Sequence, residues 1–312
     1  MRSRELKRML TLALKLTPAQ KQELLHALNP ADDATRVMQT LESRPLDCPH
    51  CHSERVVRNG HASGLQRYKC RGCAKTFNAL TATPLARLRH KVKWHTQAQV
   101  LRQGLSVHQA AQTLVVAPST AFRWRHRFLQ LPQRVKARTL QGVVEADEPY
   151  FLRSSKGQRV QARKSRHRGG SAAKRGLSEE QEPVLVVRDR SGATTDFILA
   201  RADKAHTVAA LAPVLAADAV LCTDSGGALG AAARHIGVEH HALNISKGSG
   251  VQGAWHIQNV NAYHGRLKDW MRRFKGVASS YLASYLGWFR ALDRSAQTPR
   301  QPAPFLAMAI GA

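Results

Sequence analysis

Acidic side chains are scarce in this sequence: 21 Asp and Glu stand against 48 Lys and Arg, a formal net charge of +27. A surplus of that size argues for a polyanionic partner, because each Lys or Arg that meets a phosphate releases a condensed counterion. No stretch reaches the roughly 18 apolar residues that a membrane span needs. The basic start MRSRELKRMLTLALKL has no uninterrupted apolar core, since Lys15 breaks it, so it does not read as a signal peptide. Cysteines number only five, an odd count without a secretory signal. That excludes a disulfide framework and points to a reducing, cytoplasmic compartment and to metal binding. There is no internal repeat.

The 312 residues predict two or three domains. Residues 1–44 read as a short helical segment, with Thr17-Pro18-Ala19-Gln20 as a helix start closed by a capping box. Residues 45–80 are polar and poor in large apolar side chains, so they need a staple in place of a core. Cys48-Pro-His-Cys51 and Cys70-Arg-Gly-Cys73 supply it. Two Cys-x-x-Cys turns, eighteen residues apart, each present two thiolates and together make a tetrahedral cage for a structural zinc. Arg55-Val56-Val57-Arg58 and Gln66-Arg67-Tyr68-Lys69 are expected to form a basic hairpin between them. This is a small zinc ribbon.

Residues 90–135 return to helix and read as a helix-turn-helix. Ser106 caps a helix beginning at Val107. Val116-Ala117-Pro118 breaks it, and Pro118 opens a second helix. There Trp124 and Phe128 face a core, while Ser119, Thr120, Arg123 and Arg127 face outward as DNA-binding donors to phosphates and base edges.

From residue 140 to 294, strands and helices alternate. Val143 to Phe151 is a strand with an acidic centre, and alternation puts Glu145 and Asp147 on one face and Glu148 on the other. Pro183–Asp189 and Thr194–Leu199 follow, joined by a turn at Ser191-Gly192. Thr207–Leu215 is a helix. Ala219–Thr223 is an apolar strand ending at Asp224. A long helix from His256 to about Phe274 holds Asn261 and Lys268 on one face, nearly two turns apart. Pro149 to Ser178 contains no acid. Its basic insert, residues 153–176, includes Arg163, Lys164, Arg166 and Arg168, which could contact DNA beside the strand that carries Asp147. Residues 295–312 form a C-terminal tail without an assignment.

The order of these elements is similar to the ribonuclease H-like plan, an α/β domain with a mixed central sheet. More closely, the chain resembles bacterial insertion-sequence transposases of the Asp-Asp-Glu class that carry an N-terminal zinc ribbon. The matching segments are CPHC/CRGC, GLSVHQAA, STAFRWRHRFL, VEADEPYF, VLVVRDRSG, LCTDSGGAL and NVNAYHGRLK, followed by GVASSYLASYLGWFR. The resemblance makes Asp147 and Asp224 metal ligands, puts Asn261 where most of the class has Glu, and matches Lys268 to a phosphate-holding lysine. Asp269, the nearest substitute acid, lies about 80° round the helix and roughly 12 Å along its axis from Asn261, so Asn261 ranks above it. Glu145 is a reserve ligand, and Glu148 a weaker one. The resemblance implies two magnesium ions about 4 Å apart, or manganese, acting on a phosphodiester. It also implies double-stranded DNA as partner, a homo-oligomer on that DNA, and a nucleoid-associated location. Two other readings remain open: a DNA-binding regulator whose enzyme core only scaffolds, and a metal-dependent nuclease that cuts without joining.

Overall fold

The computed structural model describes residues 3–18, 20–21, 24, 37, 39, 41–43, 47–158, 172–173, 178–224, 227–243, 251–295 and 303–310. The chain divides into two compact units, Met1–Leu131 with Arg300–Ala312, and Pro132–Pro299.

The first unit opens with helix α1 (Ser3–Leu14), followed by the Thr17–Gln20 capping box, whose two reciprocal bonds measure 3.0 and 3.3 Å. A three-stranded antiparallel sheet comes next, β1 (Val56–Ala62), β2 (Leu65–Cys70) and β3 (Thr76–Asn78). Its core is small: Tyr68 and Phe77 pack with the buried Cys48 and Cys70. Three helices follow, α2 (Trp94–Arg102), α3 (Val107–Leu114) and α4 (Pro118–Leu129). Ser106 caps α3 through a reciprocal capping box with Gln109. Gly104, at φ +66°, makes the left-handed turn before it, a conformation open to glycine at little cost. Pro118 occupies the first turn of α4, where its missing N–H costs nothing. Trp94 meets Phe128 edge to face at 6.1 Å, and both are buried.

The second unit is an α/β layer structure. Its described elements are β4 (Val143–Asp147), β5 (Tyr150–Leu152), β6 (Gln181–Asp189), β7 (Thr194–Ile198), α5 (Lys204–Leu211), β8 (Val220–Asp224), α6 (Gly227–Ile236), β9 (Glu239–Leu243), β10 (Val251–Gln252), β11 (Trp255–His256), α7 (Gln258–Arg272) and α8 (Leu282–Ser295). Among the described residues the main sheet has six strands. Its order is β5-β6-β4-β8-β9, with β7 also paired to β6. β4, β8 and β9 run parallel, and β6 is antiparallel to β4, β5 and β7, so the sheet is mixed as expected.

The alternation of β4 separates two kinds of neighbour. Val144 and Ala146 join a core with Leu185, Val187 and Leu221 and with Leu211, Leu229 and Ala232 of α5 and α6. Glu145 and Asp147 face the other way, toward α7. Beyond α7 lies an aromatic cluster in which Trp270 stands 4.9 Å from Trp288 and 5.5 Å from Phe289. Helix α8 is tied down through its last turns. Arg188 of β6 bonds Asp293 at 2.9 Å, and the buried Arg290 pairs with Asp196 and donates to the carbonyls of Gln133 and Val135 at 3.1 and 3.0 Å. Gly287 lets α8 approach this segment: a Cβ there would lie 2.3 Å from the Cα of Gln133.

The first unit ends with α9 (Ala303–Ile310), which packs against α2 and α4 with Leu306 and Ala309 buried. Among the described residues no helix is long and apolar enough to cross a membrane.

Candidate metal centre and acidic site

In the first unit the four thiols converge. Cys48 Sγ lies 3.6 Å from Cys73 Sγ, and Cys51 Sγ lies 3.6 Å from Cys70 Sγ. All four sulfur atoms fall within 4.8 Å of one another, so the group could hold a metal ion. Tetrahedral zinc with Zn–S near 2.3 Å needs sulfur atoms about 3.8 Å apart, close to what the two pairs show. Backbone N–H groups of Gly72 and Cys73 point at Cys70 Sγ from 3.2 and 3.5 Å. The Cys73 N–H, outweighing burial and assisted by Gly72, pulls the Cys70 thiol down to about 6. Such a thiol is a thiolate at neutral pH, the form that binds metal. The fifth cysteine, Cys222, is buried inside β8 and takes no part.

On α4, Ser119 and Arg123 are exposed and Thr120 is half-buried. Arg127 departs from the expected outward face. Its guanidinium reaches back to the carbonyl oxygens of Pro84 and Ala86, the latter at 2.8 Å, because helix α4 packs beside that loop. Arg163, Lys164, Arg166 and Arg168 lie outside the described residues.

In the second unit Asp147 and Asp224 end adjacent parallel strands. Ala146 pairs with Thr223, so the next residues, Asp147 and Asp224, leave the sheet side by side, on strands about 4.8 Å apart. Helix α7 lies over the same face. His264 Nδ1 is 3.2 Å from Asp147 Oδ2, with His264 nearly buried. Burial alone would raise the Asp147 carboxyl. The bond and charge of His264, the Glu148 N–H and the charge of Lys268 outweigh it and hold the group below its ordinary value. Asn261 and Lys268 are exposed on the helix face that carries His264 between them. Asp269 is exposed and pairs with Arg272 at 3.1 Å, away from the acids.

One expectation needs correction. Glu145 is no reserve ligand: its carboxylate is fully buried and already engaged. Val260 N–H donates to it at 2.9 Å, Asn259 Nδ2 donates at 3.0 Å, and Arg190 Nε and His256 Nδ1 stand at 3.4 Å. It anchors the first turn of α7 to β4. Strand β4 stops at Asp147 and the Glu148 N–H turns back to Asp147 Oδ1 at 2.8 Å, so alternation ceases to govern the next side chain. Burial, followed by the charges of Asp147 and Asp224, pushes Glu148 up to about 7.

Sequence reasoning also missed His264. Its signal was present, three residues after Asn261 and four before Lys268, spacings that share a helix face. Among the described residues the four thiols are the one group of three or more His, Cys, Asp or Glu side chains set closely enough to hold a metal ion.

Residues 139–290 match the family model of the ISXO2-like transposase domain. The chain is also 28% identical over 247 residues to a Halobacterium salinarum protein described as an uncharacterized protein in transposable element ISH50. That match covers 78% of this chain and 83% of the relative.

Proposed function

We propose that the chain is an insertion-sequence transposase, a reading supported by its match to the ISXO2-like transposase domain and its likeness to a transposable-element protein, and that it binds the ends of its element and there cuts and joins DNA strands. The observation that carries this reading is the pair Asp147 and Asp224 at the ends of adjacent parallel strands, under the α7 face bearing Asn261, His264 and Lys268. The strand order β7-β6-β4-β8-β9, with β6 reversed, supports a ribonuclease H-like architecture.

Asp147, Asp224 and Asn261 would hold magnesium, or manganese. When bound, such ions activate an attacking water or DNA 3′-hydroxyl and stabilise the leaving oxygen of an in-line displacement. His264 fixes the orientation of the Asp147 carboxylate. Glu145 anchors the helix that presents Asn261 and Lys268. Lys268, whose charge already acts on Asp147, holds a phosphate next to the bond that breaks.

Residues 45–80 form a structural zinc module that holds no catalytic ion. Helices α3 and α4 act as a helix-turn-helix on double-stranded DNA, with Ser119, Thr120 and Arg123 as donors on the recognition helix. The basic insert, including Arg163, Lys164, Arg166 and Arg168, adds phosphate contacts. Two element ends must meet for joining, so a homo-oligomer assembles on DNA. The neutral side chain of Asn261 is the one feature that favours a second reading, a DNA-binding regulator without cleavage.

The test uses purified chain, magnesium and DNA bearing the element's terminal repeats. Asp147→Ala and Asp224→Ala should each abolish cleavage while leaving DNA affinity unchanged. Undiminished cleavage by either variant would remove that residue from the chemistry.

A further inference from the structure

Helix α4 has a filled core face: Ala121, Trp124, Phe128 and Leu129 are buried. Phe122 stands outside that stripe and is 36% exposed. Ser119 lies three residues before Phe122 and four before Arg123, spacings that set it between the two on the helix surface. Ser119 and Arg123 are both exposed. The helix end that the three occupy is small and apolar. Ala117 and Pro118 are exposed there, and they line one cleft with Val115, which is 80% exposed. Behind Phe122 the half-buried His126 meets its ring edge to face at 4.5 Å, which fixes the ring's place. Burial, with the charge of Arg125 second, pulls His126 down to about 4, so this second ring is uncharged at neutral pH.

The surrounding charge selects what meets this surface. From Arg55 to Val144 the sequence contains no Asp or Glu, so α4 lies within a stretch whose formal charges are all basic, which favours a polyanion. On a DNA duplex the base edges that line the grooves are polar, and the large apolar group among them is the 5-methyl of thymine in the major groove. An exposed aromatic ring beside a hydroxyl and a guanidinium matches that group. We propose that Phe122 reads a thymine methyl in the major groove of element-end DNA, beside the polar contacts of Ser119 and Arg123. This rests on the helix-turn-helix reading above and adds an apolar base contact to its polar donors. The contact separates thymine from cytosine, which presents an amino donor and no methyl. Taking one methyl group out of water is worth about a fourfold change in affinity.

The experiment measures binding of the full, zinc-loaded chain by fluorescence anisotropy. The probes are a duplex carrying the element's terminal repeat and a set in which each thymine in turn is replaced by uracil, which removes the methyl and keeps the pairing. Wild type should lose about fourfold in affinity at one thymine or two adjacent ones. Phe122→Ala should bind the unmodified duplex at least fourfold more weakly and show no further loss with uracil there, a coupling that a merely structural role would not produce. Its slope of log affinity against log salt should match wild type, because the ring meets no phosphate. Phe122→Leu, still apolar, should keep the uracil penalty. If Phe122→Ala melts below the assay temperature, Phe122→Gln, polar and a good helix former, takes its place with the same expectation. An undiminished uracil penalty in the folded Ala or Gln variant would overturn this inference. So would a wild type indifferent to every thymine methyl while Arg123→Ala weakens binding, a result that leaves the helix-turn-helix reading standing. Wild-type affinity in Ser119→Ala, Phe122→Ala and Arg123→Ala alike would bring down both readings.

Discussion

Replacing Glu145 with alanine should loosen the first turn of α7 about a hundredfold. The change leaves the Val260 N–H, the Asn259 amide and the Arg190 guanidinium facing a void where a fully buried carboxylate sat. Removing one side of a buried ion pair costs about 3–5 kcal/mol. Arg190 is one-third exposed and keeps the Ala254 carbonyl at 2.9 Å, so the lower end of that range applies. At about 1.4 kcal/mol per tenfold, a cost of ~3 kcal/mol raises the opening equilibrium roughly a hundredfold. Glu145→Gln keeps an oxygen for Val260 but turns an amide donor toward other donors, a cost of about 1–3 kcal/mol. Hydrogen exchange followed by mass spectrometry on peptides covering 255–272 reads this directly. The Ala variant should exchange fastest there, Gln should be intermediate, and peptides covering 47–78 should be unchanged. Wild-type exchange along α7 in Glu145→Ala would refute the anchor and, with it, the account of how Asn261 and Lys268 are positioned.

Other perturbations reach the remaining parts of the molecule. A strong chelator should release one zinc per chain and abolish exchange protection across 47–78, because a module with so small a core depends on its metal for folding; persistent protection after complete zinc loss would contradict this. Gly287→Ala should destabilise the second unit by about 1–3 kcal/mol, since the new methyl meets the Gln133 backbone 2.3 Å away and cannot be accommodated by a side-chain rotation; an unchanged melt would mean that α8 shifts freely. Arg123→Ala should weaken binding to terminal-repeat DNA and, if Arg123 meets a phosphate, lower the slope of log affinity against log salt by about one. An unchanged affinity and slope would take the exposed face of α4 out of the interface.

Much of this fold was legible because strong local signals agreed with the tertiary outcome. The Cys-x-x-Cys spacing led to a cluster with sulfur atoms 3.6 Å apart. Ser106, followed by Pro118, delimited two helices as expected. The apolar run before Asp224 became a central parallel strand. Side-chain partnership was less legible. Glu145 looked like Asp147's equal, two residues away on the same face. Only the arrival of α7's first turn, far along the chain, commits one to anchoring and leaves the other at the site. Arg127 looked exposed on a helical projection, yet the loop carrying Pro84 and Ala86 lies against it. His264 shared a helix face with Asn261 and Lys268, but nothing in the sequence said that Asp147 stands opposite it. In each case the missing information was a contact between residues distant in sequence.

The most direct test of the central claim follows the fate of labelled DNA bearing the element's terminal repeats when it is incubated with the purified chain, magnesium and an unlabelled target. The account predicts label covalently joined to target DNA, dependent on Asp147 and Asp224. Cut but unjoined DNA would reduce the protein to a nuclease, and bound but intact DNA would contradict the enzymatic reading altogether.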